Sequence, residues 1–403
     1  MRTRLRGVPE RADAGYAGHT VAMAAWRGVG AGRELSGRGL SRRWLLVAAG
    51  AVAVAGVPRV LDALPVAAEP DEVADLRRRI LDSAARPWVG LAEATGRIAL
   101  PELPALESTT ALFTGVTRVR GHVAGPDRWR ADELTPVGER DVYHLDRREY
   151  VWDFGFDQLT ALSGNAALRL PRAADLLPPE LGRRLLGLAP DDPVAPLPAR
   201  RVAGRVAAGL RLTPADGDTT VGRVDVWADP PTGLPLHVEV APRSAPEIPL
   251  LISTMQEVTF RAPDDAALVP PRPPGSSRVR AAAADLGGAL RVLDAPDPPA
   301  RLAGRTRVEL TGEELPGVGV YGTGLAGFVL VPVSRGIAGR VLDGAAAAGG
   351  VPIEVPRGRA VRIGTPLLSL AVRGGRGGSV LLVGTVAPEV LGRAVVELSE
   401  ART

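Results

Sequence analysis

The side chains able to do chemistry are few and poorly grouped in this 403-residue chain. Four histidines, His19, His122, His144 and His237, stand singly. None has the H-E-x-x-H spacing that puts two imidazoles on one helix face for a metal. Cysteine is absent, which excludes disulfides, thiolate metal sites, a cysteine nucleophile and a lipid-modified cysteine. There is no G-x-S-x-G elbow and no P-loop, and the acidic residues are spread too evenly to nominate a carboxylate pair. Gly317-Val-Gly-Val-Tyr-Gly322 has the spacing of a dinucleotide fingerprint, but that motif needs a strand before it and a helix after it. Here the apolar strand Phe328-Val-Leu-Val-Pro332 follows, so the glycines read as a turn with close backbone packing. Arg373-Gly-Gly-Arg-Gly-Gly-Ser379 has the composition of an RNA-binding segment, yet a single copy between two apolar runs fits a hairpin loop. The reading is a non-catalytic protein with no cofactor, no metal and no nucleic-acid partner.

The apolar side chains say more. In Val221 to Val240, the residues Val224, Val226 and Ala228 alternate with Arg223, Asp225 and Trp227, and Leu234, Leu236, Val238 and Val240 alternate with Pro235, His237 and Glu239. This is the period of strands with one buried face. Asp229-Pro-Pro-Thr-Gly233 between them supplies fixed φ at the prolines and a free φ at the glycine, so the stretch predicts a hairpin. His237 is expected on its polar, surface side. In Glu149 to Phe156 the same parity puts Tyr150, Trp152, Phe154 and Phe156 on one face. If Tyr150, Trp152 and Phe154 share a face with Val224, Val226, Leu236 and Val238, the seven enclose one apolar space, either filled by helices or open to a ligand.

Elements that must position these residues follow in chain order. Pro70 to Ala84 predicts an amphipathic helix. Strands are expected over Leu91–Leu100, Leu112–Val123, Arg128–Leu134, Arg140–Leu145 and Glu149–Phe156, with turns short enough for a meander. Asp175 to Leu188 predicts a helix, Pro190–Pro198 a proline-rich link, and Arg201–Leu212 and Ile252–Phe260 further strands. Pro270-Pro-Arg-Pro-Pro-Gly-Ser-Ser277 reads as a linker. Beyond it, Gly317–Val333 is expected as turn and strand, Ser334–Ala347 as helix, Val351–Val372 and Ser379–Val386 as strands, and Ala387–Ser399 as helix.

All 49 basic residues are Arg, the mark of a biased composition rather than of nucleic-acid binding. Residues 1–43 hold nine of them against Glu10, Asp13 and Glu34, a net of +6, which leaves −2 for the rest of a chain with net +4. The apolar run Trp44–Val57 behind this basic flank is 14 residues long. That is short of the roughly 18 to 20 needed to span a bilayer, so it fits an export signal, with cleavage after Ala68 and a twin-arginine layout at Arg42 and Arg43. An uncleaved anchor is the alternative. The expected organisation is a disordered basic tail over 1–43, a signal or anchor over 44–68, a domain over 70–269, a linker over 270–277 and a smaller α+β domain over 278–403.

With those elements in place, Val224-Asp-Val-Trp-Ala-Asp-Pro230, Gly233-Leu-Pro-Leu-His-Val-Glu239 and Gly125-Pro-Asp-Arg-Trp-Arg130 resemble motifs of the LolA/RseB-like family of exported lipoprotein carriers and lipoprotein-sensing regulators. Tyr321-Gly-Thr-Gly324 and Val380-Leu-Leu-Val-Gly-Thr385 are similar to the C-terminal domain of its RseB-type and actinobacterial-type members. The resemblance implies an α+β fold, a strongly curved antiparallel half-barrel sheet wrapped around helices, whose apolar concave face holds acyl chains. It implies a lipid or lipoprotein ligand, with Tyr150, Trp152, Phe154, Val224, Val226, Leu236 and Val238 as the lining. The alternative it implies is a regulatory module that senses envelope state through a membrane-protein partner.

Overall fold

The computed structural model describes residues 73–98, 107–136, 138–146, 148–163, 169–282, 290, 293, 295–310, 315–345, 347–375 and 378–401. The expected basic tail, the signal or anchor segment and the site after Ala68 lie outside the described residues. Among the described residues, no helix is long and apolar enough to cross a membrane.

Helix α1 (Val73–Asp82) forms where Leu76 and Ile80, one turn apart, make the buried stripe and Asp75 in the first turn complements the helix dipole. Burying each of those side chains contributes about 1.5 to 3 kcal/mol. A meander follows in β1 (Trp88–Gly96), β2 (Val116–Gly125), β3 (Arg128–Thr135), β4 (Gly138–Leu145), β5 (Arg148–Asp153) and β6 (Gln158–Ser163). Helix α2 (Glu107–Thr114) stands before β2, so the expected strand from Leu112 starts four residues late, at Val116. Leu112 is buried in the core from that helix and not from a strand. Strand β5 ends at Asp153, not Phe156. The Asp153 Oδ1 accepts from the backbone N–H groups of Gly155 and Phe156, and Asp157 takes φ 48°, which turns the chain into β6.

Helix α3 (Pro178–Leu188) interrupts the strands as expected, with prolines in its first turn. Strands β7 (Val194–Val202), β8 (Arg205–Leu212), β9 (Val221–Ala228), β10 (Pro235–Pro242), β11 (Leu251–Thr259) and β12 (Ser277–Ala282) complete a curved twelve-stranded sheet. Its order is β12-β6-β5-β4-β3-β2-β1-β11-β10-β9-β8-β7, antiparallel except where β12 pairs with β6 in parallel. The proline-rich stretch before Arg201 is itself the edge strand β7, the one place in a sheet where a missing N–H costs little. Arg201–Leu212 is not one strand, because Ala203 and Gly204 at φ 48° and 73° fold it into the β7–β8 turn. Residues 270–276 carry neither helix nor strand, and Ser277 opens β12.

The remaining chain forms an eight-stranded antiparallel sheet: β13 (Arg301–Leu302), β14 (Arg305–Val308), β15 (Gly319–Tyr321), β16 (Phe328–Val333), β17 (Val351–Pro352), β18 (Arg359–Gly364), β19 (Ser369–Gly374) and β20 (Ser379–Gly384). Val351–Val372 is thus three strands, divided at the turns around Gly358 and Pro366. Helix α4 (Arg335–Gly344) is capped by Ser334, whose Oγ accepts from the Ile337 N–H. Helix α5 (Pro388–Glu400) buries Val390, Leu391, Ala394, Val395 and Leu398, the expected stripe. The β8–β9 loop ties the sheets together. Thr220 Oγ1 donates to the Leu367 carbonyl at 2.7 Å, Thr219 bridges Val386, and Arg305 pairs with Asp216 at 2.9 Å and Asp218 at 3.1 Å.

Candidate functional site

Strand register decides which side chains share a face, because successive residues point to opposite sides. Val226 pairs with Val238, Val238 with Ser253, Ser253 with Ala94 and Ala94 with Thr117. Two residues along β2, Val119 and Gly121 continue that face through Ala131 and Val142 to Val151. This is the helix side, where α1 and α3 supply Leu76, Ile80, Leu181 and Leu186 to the core. Tyr150 and Trp152, the neighbours of Val151, are therefore on the other side.

The seven residues singled out from the sequence separate accordingly. Val224, Val226, Leu236 and Val238 are each 0% exposed in the helix-side core. A Cβ added to Gly182 of α3 would lie 3.1 Å from Pro235 and 3.4 Å from Val226, so helix fills the space over this hairpin. Trp152 is buried with Tyr143 and Leu159, with Tyr150 packed beside them, in a separate cluster on the opposite face. Phe154 is 49% exposed in the β5–β6 turn. The condition that all seven share one face is not met.

Among the described residues, the helix side has a partly open region. The described helices pack against β1–β3, β7, β8, β10 and β11. Over β4–β6, Val142 is just buried while Val151, Thr160 and Leu162 are half-buried. Val142, Val151 and Thr160 lie directly opposite one another across the strands, and Ala131 carries the strip into the core. One end is rimmed by Trp129 stacked on His144 at 5.4 Å between centroids and by Glu149, which meets Arg172 at 2.7 Å. Burial alone would raise the Glu149 carboxyl, but His144 and Arg172 bring it down to about 2. At the other end stand Glu133 and Arg140, paired across β3 and β4, with the Glu133 carboxyl held up by burial. The arrangement is an apolar strip between two charged rims.

On the opposite face the expected surface side of the hairpin is buried. Arg223, Asp225 and His237 are 7%, 1% and 5% exposed. Arg211 grips Asp225 with two hydrogen bonds of 2.7 Å, and Arg223 contacts both Asp225 and Glu239. His237 faces Thr254 Oγ1 at 2.6 Å through Nδ1 and Glu239 at 3.0 Å through Nε2. Desolvation pushes the imidazole down, so it sits neutral, with Nε2–H donating to the carboxylate. Glu239, raised by burial alone, is brought down to about 2 by His237 and Arg223. A second group collects on β2–β4. Asp132, Glu139 and Asp141 bring carboxylate oxygens within 4.8 Å of one another, although the sequence nominated no such cluster. The Arg130 guanidinium already lies among them, bonded to Asp132, to Asp141 at 3.0 Å and to Glu139 at 3.3 Å. The signal was available: Asp132 and Asp141 stand at matching distances from the β3–β4 turn and pair directly.

The glycines 317 and 322 sit at φ 72° and 87° beside β15, with the strand β16 after them and no helix N-terminus. No protein-family model matches the chain, and no curated protein is detectably similar in sequence. Among solved structures, the chain is similar to the crystal structure of MucB at 18% identity, over 81% of this chain and 96% of that one, with a TM-score of 0.43. It is similar to the MucA/MucB complex structure of Pseudomonas aeruginosa at 17% identity, over 80% and 96%, with a TM-score of 0.42. A LolA superfamily protein from Nitrosomonas europaea matches at 12% identity over 50% of this chain and 98% of that one, with a TM-score of 0.22.

Proposed function

We propose that this chain is a non-catalytic binding protein of the cell envelope that lays an acyl chain, from a lipid or a lipoprotein, along the helix-side face of β4–β6. The observation that carries this reading is the strip Val142, Val151, Thr160 and Leu162, continuous with the core and only half covered among the described residues. An elongated apolar ligand would complete the burial that the helices give the rest of that face, and the charged side chains at either end, with the Glu149–Arg172 ion pair at one of them, suit a polar head group. The basic flank and apolar run at the N-terminus support an address outside the cytoplasm.

The test is uptake of a fluorescent acyl probe by the exported portion, with mass spectrometry of its organic extract. Val151→Asp should abolish uptake with the fold retained, because the residue is half open. Val226→Asp should instead unfold the domain, since an unpaired charge in a closed core costs several kcal/mol. No uptake and no extractable lipid would overturn the acyl-chain reading. The second reading, a regulatory module docking a membrane-protein partner, is favoured by Phe154 and Phe156, 49% and 80% exposed side by side in one turn.

A further inference from the structure

The chain between β11 and β12 must travel from the middle of the first sheet to its far edge, and it does so over the face away from the helices. Its short 3-10 turn, Asp265–Leu268, packs on β3. Arg128 of β3 holds Asp265 at 3.0 Å, Arg130 Nη1 donates to the Ala267 carbonyl at 3.4 Å, and Leu268 is fully buried. The Arg130 guanidinium that meets the crossover also gathers three carboxylates, those of Asp132, Glu139 and Asp141. Asp132 and Asp141 face each other across β3 and β4 and are 1% and 0% exposed.

The charges do not balance. From β3 come Arg130 and Asp132, and from β4 Glu139, Asp141 and Tyr143, whose hydroxyl donates to Asp141 Oδ2 at 3.1 Å. From β2 come His122, 3.5 Å from Asp132 Oδ2, and the exposed Arg120 opposite Asp132. Strand β5 adds only the uncharged Trp152, and the crossover adds Asp264 and Asp265, the latter already taken by Arg128. Asp132 Oδ2 and Asp141 Oδ1 are buried without any hydrogen-bond donor. Three ionised carboxylates around one guanidinium, two of them fully buried, repel one another, and either a proton or water must relieve them.

We propose that the crossover between β11 and β12 is a proton-operated latch. While Asp141 carries a proton it lies closed on β3, and when that proton leaves it lifts so that water reaches the carboxylates. Burial, then repulsion from Asp132, raises the Asp141 carboxyl from 3.8 to about 7, with Arg130 offsetting only part. Because the closed form binds the proton more tightly than an open one, closure weakens as pH rises from about 4 to about 7 and weakens no further above that.

Hydrogen exchange of the full chain from pH 5 to 8, corrected for base catalysis, tests this on the amides of Ala267, Val269 and Ser276, which are hydrogen-bonded within the crossover. Their opening constant should grow by up to about tenfold per pH unit between pH 5 and 7 and then level off, while the amides of β9 and β10 do not follow. Asp141→Asn should hold the opening constant at its pH 5 value throughout. Glu139→Gln, at a half-buried position that tolerates change, should move the transition to lower pH, and it decides the matter if Asp141→Asn does not fold. Opening independent of pH, a transition untouched by Glu139→Gln, or a parallel change in β9 and β10 would each overturn the latch.

Discussion

Two groups of buried charges occupy one face of one sheet and have opposite characters. On β7–β10, three guanidiniums and an imidazole surround Asp225 and Glu239, and each of the four carboxylate oxygens has a donor. On β3 and β4, one guanidinium serves three carboxylates, and two oxygens have none. Its donors bring Glu239 down to about 2, whereas burial and repulsion from Asp132 lift Asp141 to about 7, although Asp225 in the first group is as deep as Asp141, at 1% and 0% exposed. The difference teaches that the supply of donors, more than depth, sets whether a buried acid acts as a fastening or as a strained point.

The largest effect should come from breaking the balanced group. Asp225→Ala would take from Arg223, which is 7% exposed, one of its two carboxylate partners and should cost about 3 to 5 kcal/mol in equilibrium unfolding. Relieving the unbalanced group should do the reverse. Asp141→Asn keeps an oxygen for Tyr143 and removes the repulsion, so it should stabilise the protein by about 1 to 3 kcal/mol at pH 8 and by little at pH 5, where the native residue is already protonated. If the variant is less stable at both pH values, the contrast between the groups fails. The acid limb sharpens it further. Glu239 is held below its ordinary 4.5, so its contribution is whole above that value and is lost as pH falls through about 2. Glu239→Gln should therefore lower stability by about 1 to 2 kcal/mol at pH 7 and flatten the acid limb of the stability profile. The smallest effect belongs to Arg200→Gln, which removes a guanidinium 4.6 Å over Trp227 and an ion pair open to water. About 0.5 to 1 kcal/mol is expected in urea titration.

Local chemistry made some of this legible beforehand. The hairpin Val221–Pro242 was readable because its turn is written in side chains: Asp229 Oδ2 accepts from the Thr232 hydroxyl at 2.7 Å. Gly233 takes φ 71° against the Arg79 carbonyl, where a Cβ would come within 2.2 Å. The stripe of α5 was readable for the same reason. The buried second face of the hairpin was not, because Arg223, Asp225, His237 and Glu239 alternate as surface residues do, and only their cross-strand partners and the loop through Pro246 make burial affordable. Nor was the separation of Trp152 from Val226, since parity within each strand cannot relate strands whose register runs through seven pairings and a bulge at Leu91 and Ala92. The strip through Val151 went unseen beside its aromatic neighbours.

The β7–β8 turn has a twin. Arg201-Val-Ala-Gly-Arg205 in the first sheet and Arg301-Leu-Ala-Gly-Arg305 in the second turn on the same conformation, with Ala303 and Gly304 at φ 49° and 76°. Alanine in the left-handed region costs about 1 kcal/mol, which glycine would not. Ala203→Gly and Ala303→Gly are thus matched adjustments to one sheet each, each relieving the turn while giving up a methyl that packs on its own core, a pair of tuning screws of the same pitch. If both raise a single melting transition equally, the two sheets unfold as one cooperative body. If each moves a transition of its own, the sheets melt separately, and the fastenings around Thr219 and Arg305 are weaker than the folds they join.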